Sequence, residues 1–343
     1  MRIMISIQHP SQVHQYKYFI EKMTKMGNKI KVVAIKKKVT IELLEKYNIN
    51  YELISNSTGK GIFEKILILF TSTYKIYKIN KKFNTDIFFA RASPMIAFNS
   101  FLFKKPHIAF SDSEVAFFPL LICKLFSKVI FTPKAFTKNL GSKQLRIDTY
   151  KELFYLHPNW FSPDYEYIKK EFNNKKIILF RFVSWQAHHD IGKKGFSNEE
   201  KIQLVRELKK YGEIIISSEG KVPDSIRKYV RNLPIEKIHD ILYNANLLIT
   251  DSQTMTTEAA VLGTPVLRYN SFVGNNDMSN FVELEKKYCL IYNVNLFNEV
   301  IDISKKILLD PDIKKEWNIR KENMLNDKID GTEFFINYIS NNY

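Results

Sequence analysis

The chain has 343 residues, 45% of them hydrophobic, which is enough for two domains of ordinary size with real cores. Its formal charge is +16, from 52 basic and 36 acidic residues, a balance that fits a polyanionic ligand or an anionic membrane surface. Two cysteines, Cys123 and Cys289, sit far apart in apolar surroundings and exclude a disulfide framework; they read as reduced, buried thiols. The basic excess is scattered lysine in an Ile-, Lys- and Asn-rich sequence, so genome composition is an equal explanation of it. Nucleic acid is not expected as a partner, because no helix-turn-helix, zinc or RNA-binding signature is present. No uncharged apolar run approaches the length needed to span a bilayer, and the sequence opens on a strand without a leader pattern. A cytoplasmic protein is therefore expected, one able to rest on the cytoplasmic face of a membrane.

In chain order, strand 2–7, loop 8–13 and a helix closed by Gly27 come first, with His14 at the helix start. Strand 29–35, helix 40–47 and a short strand near 51–54 follow. A polar loop leads to a long amphipathic helix, 62–82, carrying Ile66, Leu69, Phe70, Ile76 and Tyr77 at helical spacing. Strands are expected at 86–90, 107–111 and 128–131, with a small apolar helix after Pro94. Residues 134–174 show no clean period and read as a connector. A second series then runs strand 176–181, helix 197–211, strand 213–217, helices 223–231 and 235–245, strand 247–250, a helix to Leu262, strand 266–267 and a short strand near 288–292. Charged amphipathic helices at 296–309 and 311–340 end the chain. Such alternation predicts α/β domains with parallel, doubly wound sheets. Ligands then belong at the carboxyl ends of strands, in the loops 8–14, 91–94, 111–114, 181–190, 217–221 and 251–258. The aromatic-rich helical faces 66–77, 115–126 and 334–338 are expected to be core; the second also suits a lipid-facing patch.

The stretch Leu247–Gly274, LLITDSQTMTTEAAVLGTPVLRYNSFVG, organises the rest. It reads strand, turn at Asp251-Ser252, short helix, stop at Gly263, and a strand after Pro265. The free N–H groups and positive dipole end of that helix suit an anion, with Ser252, Thr254, Thr256 and Thr257 as surrounding hydroxyls. Glu258 can accept from sugar hydroxyls as acidic residues do for ribose. An ordinary helix capped by Asp251 or Ser252 explains the same residues.

The segment TDSQTMTTEAAVLGTPVL resembles the donor-binding segment of the GT-B superfamily, which holds MurG-type glycosyltransferases and non-hydrolysing UDP-N-acetylglucosamine 2-epimerases. With HPSQVHQYKYF, KQLRIDTYKELFYLHP, RFVSWQAHHDIGKKG and ISSEG, the likeness covers nearly the whole chain and is closest to the DUF354 family of that superfamily. The resemblance implies a GT-B fold: two Rossmann-like domains facing across a cleft. The N-terminal acceptor domain would span 1–157, the nucleotide-sugar donor domain 175–310, and 311–343 would be a C-terminal helix crossing back to the first domain.

It also implies roles. His14, where MurG-like transferases face the acceptor with a histidine, would be the base that takes the acceptor hydroxyl's proton, with His9, Ser93 and Asp112 on the acceptor side. Glu114 matches in position a catalytic glutamate of the epimerases, although Ser111–Ser113 before it are equally good helix caps. Arg181, Ser184, Trp185 and His188 would meet the donor diphosphate, Arg181 bidentately; a salt bridge from Arg181 to Asp190 is the structural alternative. Ser218 and Glu219 would lie beneath the donor and His239 near the nucleotide base. Asp251, Ser252, Gln253, Thr254, Met255 and Glu258 would form the diphosphate and ribose site, with Asn270 and Ser271 near the sugar. No metal and no cofactor is expected, the nucleotide sugar being a substrate; His188-His189-Asp190 is a ligand set without companions.

The expected activity is a metal-independent glycosyltransferase that uses a UDP-sugar to extend a surface glycan or lipid-linked acceptor. A UDP-sugar 2-epimerase is the alternative, weakened because the strand 86–90 ends in Arg91-Ala92-Ser93 where the epimerases carry an acid. A non-catalytic nucleotide-sugar or polyanion-binding protein is the third reading.

Overall fold

The computed structural model describes residues 1–57, 59, 61–173, 175–184, 195–274 and 277–343, the side chain of residue 62 excepted. The chain forms two compact units, Met1–Trp160 with Ile329–Tyr343, and Phe161–Lys328.

The first unit is built on a parallel sheet of β1 (Arg2–Ile7), β2 (Lys29–Ile35), β3 (Tyr51–Ser55), β4 (Ile87–Arg91), β5 (His107–Phe110), β6 (Val129–Pro133) and β7 (Gln144–Ile147). Their order in space is β3-β2-β1-β4-β5-β6-β7. Central strands such as MISI and FFA are buried throughout because helices cover both sheet faces. On one face lie α3 (Ile62–Phe83), α4 (Pro94–Leu102) and α5 (Phe117–Phe126), whose Ile76, Met95 and Ile96 pack on Met4, Phe88 and Ala90. On the other lie α1 (Pro10–Lys25) and α13 (Gly331–Asn342), with Phe19 against Phe89 and Phe335 against Phe89, Phe131 and Phe154. Helix α2 (Lys38–Lys46) packs beside α1.

The second unit has a parallel sheet ordered β12-β11-β10-β8-β9. Its strands are β8 (Ile177–Phe182), β9 (Glu213–Ser218), β10 (Leu247–Thr250), β11 (Val266–Tyr269) and β12 (Tyr292–Val294). Around it run α6 (Tyr165–Phe172), α7 (Asn198–Leu208), α8 (Ile238–Asn244), α9 (Gln253–Leu262), α10 (Ser279–Lys286), α11 (Phe297–Leu309) and α12 (Ile313–Asp327). Helix α7 opens on a full capping box between Ser197 and Glu200. Gly263, at φ 76°, closes α9 in the left-handed region.

Several expectations are corrected. The segment read as a connector contains β7, whose Gln144 is drawn to the sheet edge by bonds to Thr132 and Leu140. The helix expected over 223–231 is a 3-10 turn at Asp224–Tyr229, and α10 was not anticipated. The expected helix 311–340 is two helices. Lys328 is extended and buried, its Nζ 2.9 and 3.0 Å from the two oxygens of Glu283, and Asp330 caps α13 through the Glu333 N–H. Cys123 is buried as expected, but Cys289 is exposed. The outer sides of the 66–77 and 115–126 faces are not core: Ile66, Phe70, Phe117 and Phe118 are exposed, whereas Phe335 of the third is fully buried. No helix of the described residues is long and apolar enough to cross a membrane.

Candidate functional site

In an open parallel sheet, a crevice forms where the strand order reverses. In the second unit that point lies between β8 and β10, and the loops leaving both strands are bonded together there. The Val183 N–H donates to Asp251 Oδ1 (2.8 Å), and the Thr250 hydroxyl donates to the Arg181 carbonyl (2.9 Å). Asn270, just past β11, donates to the Asp251 carbonyl (3.1 Å). Helix α9 starts at this crevice. Ser252 is its cap and takes the Met255 N–H (3.4 Å), which leaves the N–H groups of Gln253 and Thr254 without intrahelical carbonyls. The expected ring of hydroxyls is narrower than the sequence suggests. Thr256 donates to the Ser252 carbonyl (2.7 Å) and Thr257 to the Gln253 carbonyl (3.4 Å), both buried inside the helix packing. Gln253 and Thr254 are the partly exposed residues of the first turn, while Met255 is buried.

Arg181 stands in β8 directly opposite Thr250. Its guanidinium is taken by the neighbouring strand β9: one nitrogen donates to Ser217 Oγ (2.9 Å) and another is ion-paired with Glu219. Glu219 Oε2 also accepts from the Ser184 N–H (3.3 Å), and the Ser218 hydroxyl donates to the Gly220 carbonyl. The structure thus brings Arg181, Ser184, Ser217 and Glu219 together, and the partner of Arg181 is Glu219. Asp190, the partner considered from sequence, lies outside the described residues, as do Trp185, His188 and His189. Among the described residues no group of three or more His, Cys, Asp or Glu is placed to hold a metal ion.

Glu258 and His239, nineteen residues apart, meet in the interior: Glu258 Oε1 is 3.1 Å from His239 Nε2, with both side chains almost fully buried. Glu258 sits in the second turn of α9, which begins at Gln253 directly after its Ser252 cap.

In the first unit the order reverses between β1 and β4. Gln8, after β1, donates to Ser93 Oγ after β4 (2.9 Å), bridging the two loops. Helix α1 begins at Pro10, so His14 lies in its second turn, and it is His9 that caps, taking the Ser11 N–H on its Nδ1. His14 is buried, stacked on Tyr155 (centroids 5.5 Å apart), with the Tyr47 hydroxyl 3.3 Å from Nδ1. Its ring orientation is set by these two aromatic partners.

At the end of β5 the carboxylates are committed. Asp112 is ion-paired with Arg91 and lies 3.3 Å from Lys151, which is 3.0 Å from Glu152. Burial would push the Asp112 carboxyl up, but Arg91 and then Lys151 outweigh it, and the group titrates at about 2. Lys151 is held above the ordinary lysine range: burial opposes its charge, and Asp112 and Glu152 overcome the penalty. Glu114 Oε1 accepts both the N–H and the hydroxyl of Thr137 (2.7 Å each), tying the loop after β5 to the loop after β6.

Sequence reasoning missed Lys151, Glu152 and Thr137, which fall in or beside the segment read as a connector. It also missed Arg268, a fully buried guanidinium lying over the Phe281 ring (3.7 Å) and paired with Asp277, which pins the loop carrying Asn270. A basic residue inside the apolar run PVLRY was the available signal.

No protein-family profile matches the sequence, and no curated protein sequence matches it. Solved structures do resemble the chain. The UDP-GlcNAc 2-epimerase of Neisseria meningitidis, bound to UDP-GlcNAc, matches at 14% identity and TM-score 0.69, covering 100% of both chains. The MnaA–UDP structure from S. aureus matches at 12% identity and TM-score 0.68, over 98% of this chain and 95% of that one. MurG of Acinetobacter baumannii matches at 13% identity and TM-score 0.62, over 99% of each. Across this range of neighbours the shared property is architecture: the chain has the GT-B fold.

Proposed function

We propose that the chain is a glycosyltransferase that binds a nucleotide sugar, of which UDP-sugars are the first class to test, through its second unit. One observation carries the reading: the N-terminus of α9 opens at the β8/β10 reversal with the first-turn N–H groups of Gln253 and Thr254 available to a diphosphate. The likeness to structures holding UDP or UDP-GlcNAc supports the same placement. Glu258, held by His239, is the ribose ligand in this reading, and Arg181 turns from Glu219 toward the leaving diphosphate. The acceptor oxygen attacks the anomeric carbon, the bond to the diphosphate breaks, and His14 takes the acceptor's proton. His14 is taken as base ahead of Glu114 because the resemblance to MurG-like transferases puts a histidine there; both side chains are buried and bonded, His14 beside the Tyr47 hydroxyl and Glu114 to Thr137.

A 2-epimerase reading is favoured by the full-length likeness to the epimerases. Against it stands Arg91 at the end of β4, paired with Asp112 at the position where a carboxylate is expected. The test is a thermal-shift series of UDP, UDP-sugars and their GDP, CDP and dTDP counterparts on the wild type and Glu258→Ala, then mass spectrometry of the products. Stabilisation by one nucleotide family, lost in Glu258→Ala, is expected. An epimerised nucleotide sugar without an acceptor would select the second reading, and a melting curve unmoved by any of them refutes both.

A further inference from the structure

Helices α3, α4 and α5 cover one face of the first sheet with their inner sides, yet their outer sides are apolar as well. On α3, Phe63, Leu67, Phe70 and Tyr74 recur at one helical face and point to solvent, Phe63 being 89% and Phe70 68% exposed. Phe101 and Leu102 end α4 in the open, and on α5 Phe117 (71% exposed), Leu121 and Leu125 do the same. The three outer faces are continuous: Tyr77 of α3 meets Phe103 (5.2 Å), and Phe101 meets Phe126 (4.9 Å). A water-facing surface mixes charges of both signs and keeps apolar patches small. Here α4 and α5 contain no acidic residue and α3 has one, Glu64, while Lys75, Lys78, Lys104, Lys124 and Lys128 are exposed among or beside the aromatics.

Charge follows the same division. The first unit holds 26 basic and 12 acidic residues, net +14; the second holds 26 and 24, net +2. Nearly the whole excess of the chain therefore lies in the unit bearing the apolar faces, which genome composition acting on both units alike does not explain. The occupant must match both properties. A second copy of this chain across a self-complementary contact would set lysine against lysine. A bilayer with anionic headgroups offers acyl chains for the aromatics and negative charge for the lysines.

We propose that the first unit docks on an anionic lipid surface through the outer faces of α3, α4 and α5. The contact is interfacial, since none of these helices is long and apolar enough to cross a membrane. The proposal stands independently of the nucleotide-sugar reading. Its test is co-sedimentation of the full chain with vesicles of phosphatidylcholine alone or with phosphatidylglycerol added, at low and high salt, beside size-exclusion chromatography. Expected is binding to the phosphatidylglycerol vesicles that high salt weakens, and at least a ~100-fold loss in the triple variant Phe63→Ser/Phe70→Ser/Phe117→Ser, with an unchanged melting temperature. Lys75→Glu/Lys78→Glu should weaken binding to charged vesicles alone. Binding that survives the triple substitution, equal binding to neutral vesicles, or no binding overturns the proposal. A wild-type dimer that the triple variant dissociates, without vesicle binding, would assign the face to a second copy instead.

Discussion

Asp112→Asn tests whether this carboxylate is a structural anion or a base poised for chemistry. Asp112 is enclosed by Arg91 and Lys151, and the side chains of all three are nine-tenths to four-fifths buried. Asparagine keeps the shape and removes the charge, leaving Arg91 without its ion-pair partner Asp112 and Lys151 paired with Glu152 alone of its two carboxylates. Breaking a buried ion pair from one side costs about 3–5 kcal/mol. A second magnitude comes from titration. A carboxyl that titrates near 2 in the fold and near 3.9 in the open chain contributes about 2.5 kcal/mol at neutral pH. Because the folded value is the lower one, the contribution is complete above about pH 5 and is lost as pH falls toward 2. Urea unfolding of the wild type and variant at a series of pH values should show a gap of about 2.5–5 kcal/mol at pH 7 that narrows from pH 5 downward. Equal stabilities at pH 7, or a gap independent of pH, would refute the ion-cluster account and make Asp112 a candidate for proton transfer.

Gly331→Ala should destabilise the fold by about 1–3 kcal/mol, since a Cβ there would stand 2.3 Å from the buried Phe154 ring; urea denaturation reads it, and an unchanged midpoint would mean that α13 is not seated on Phe154. His107 is buried beside Ser127, and burial lowers its titration to about 3, so the open chain takes up a proton below pH 6.5 that the fold refuses. Stability should fall between about pH 6.5 and 3, and His107→Gln should flatten that slope in acid melts. Arg181→Ala should weaken UDP binding by about 1.5–3 kcal/mol, whereas His14→Ala should leave it intact and slow turnover about a hundred- to ten-thousand-fold. Glu219→Gln should tighten UDP binding by freeing the Arg181 guanidinium from its partner; calorimetry showing weaker binding would mean that the pair itself shapes the site.

Local rules made much of the architecture legible. The β10–α9–β11 unit could be read residue by residue, because Ser252 as cap, Gly263 as stop and Pro265 as breaker act within one or two turns of themselves. Apolar strands between helical periods likewise announced two parallel sheets. Short or irregular pieces escaped: β7 is four residues at a sheet edge, fastened by a glutamine side chain that carries no periodic signal. The break at Lys328–Asp330 was visible only as an Asp-x-x-Glu cap inside an otherwise helical charge pattern.

Partners distant along the chain were beyond the reach of the sequence. Arg91, Asp112 and Lys151 become one cluster because β4 and β5 end side by side and the segment after β7 folds over them. Arg181 acquires Glu219 and Glu114 acquires Thr137 through the same strand-end geometry, and Glu258 acquires His239 through the packing of α8 against α9. The apolar faces of α3 and α5 show the limit most plainly. The sequence shows both helices to carry more apolar residues than one buried face needs, but a sheet can cover only one side of a helix. Only the packed structure, by choosing Ile76 for the sheet and Phe70 for solvent, decides which aromatics are core and which remain open to a partner.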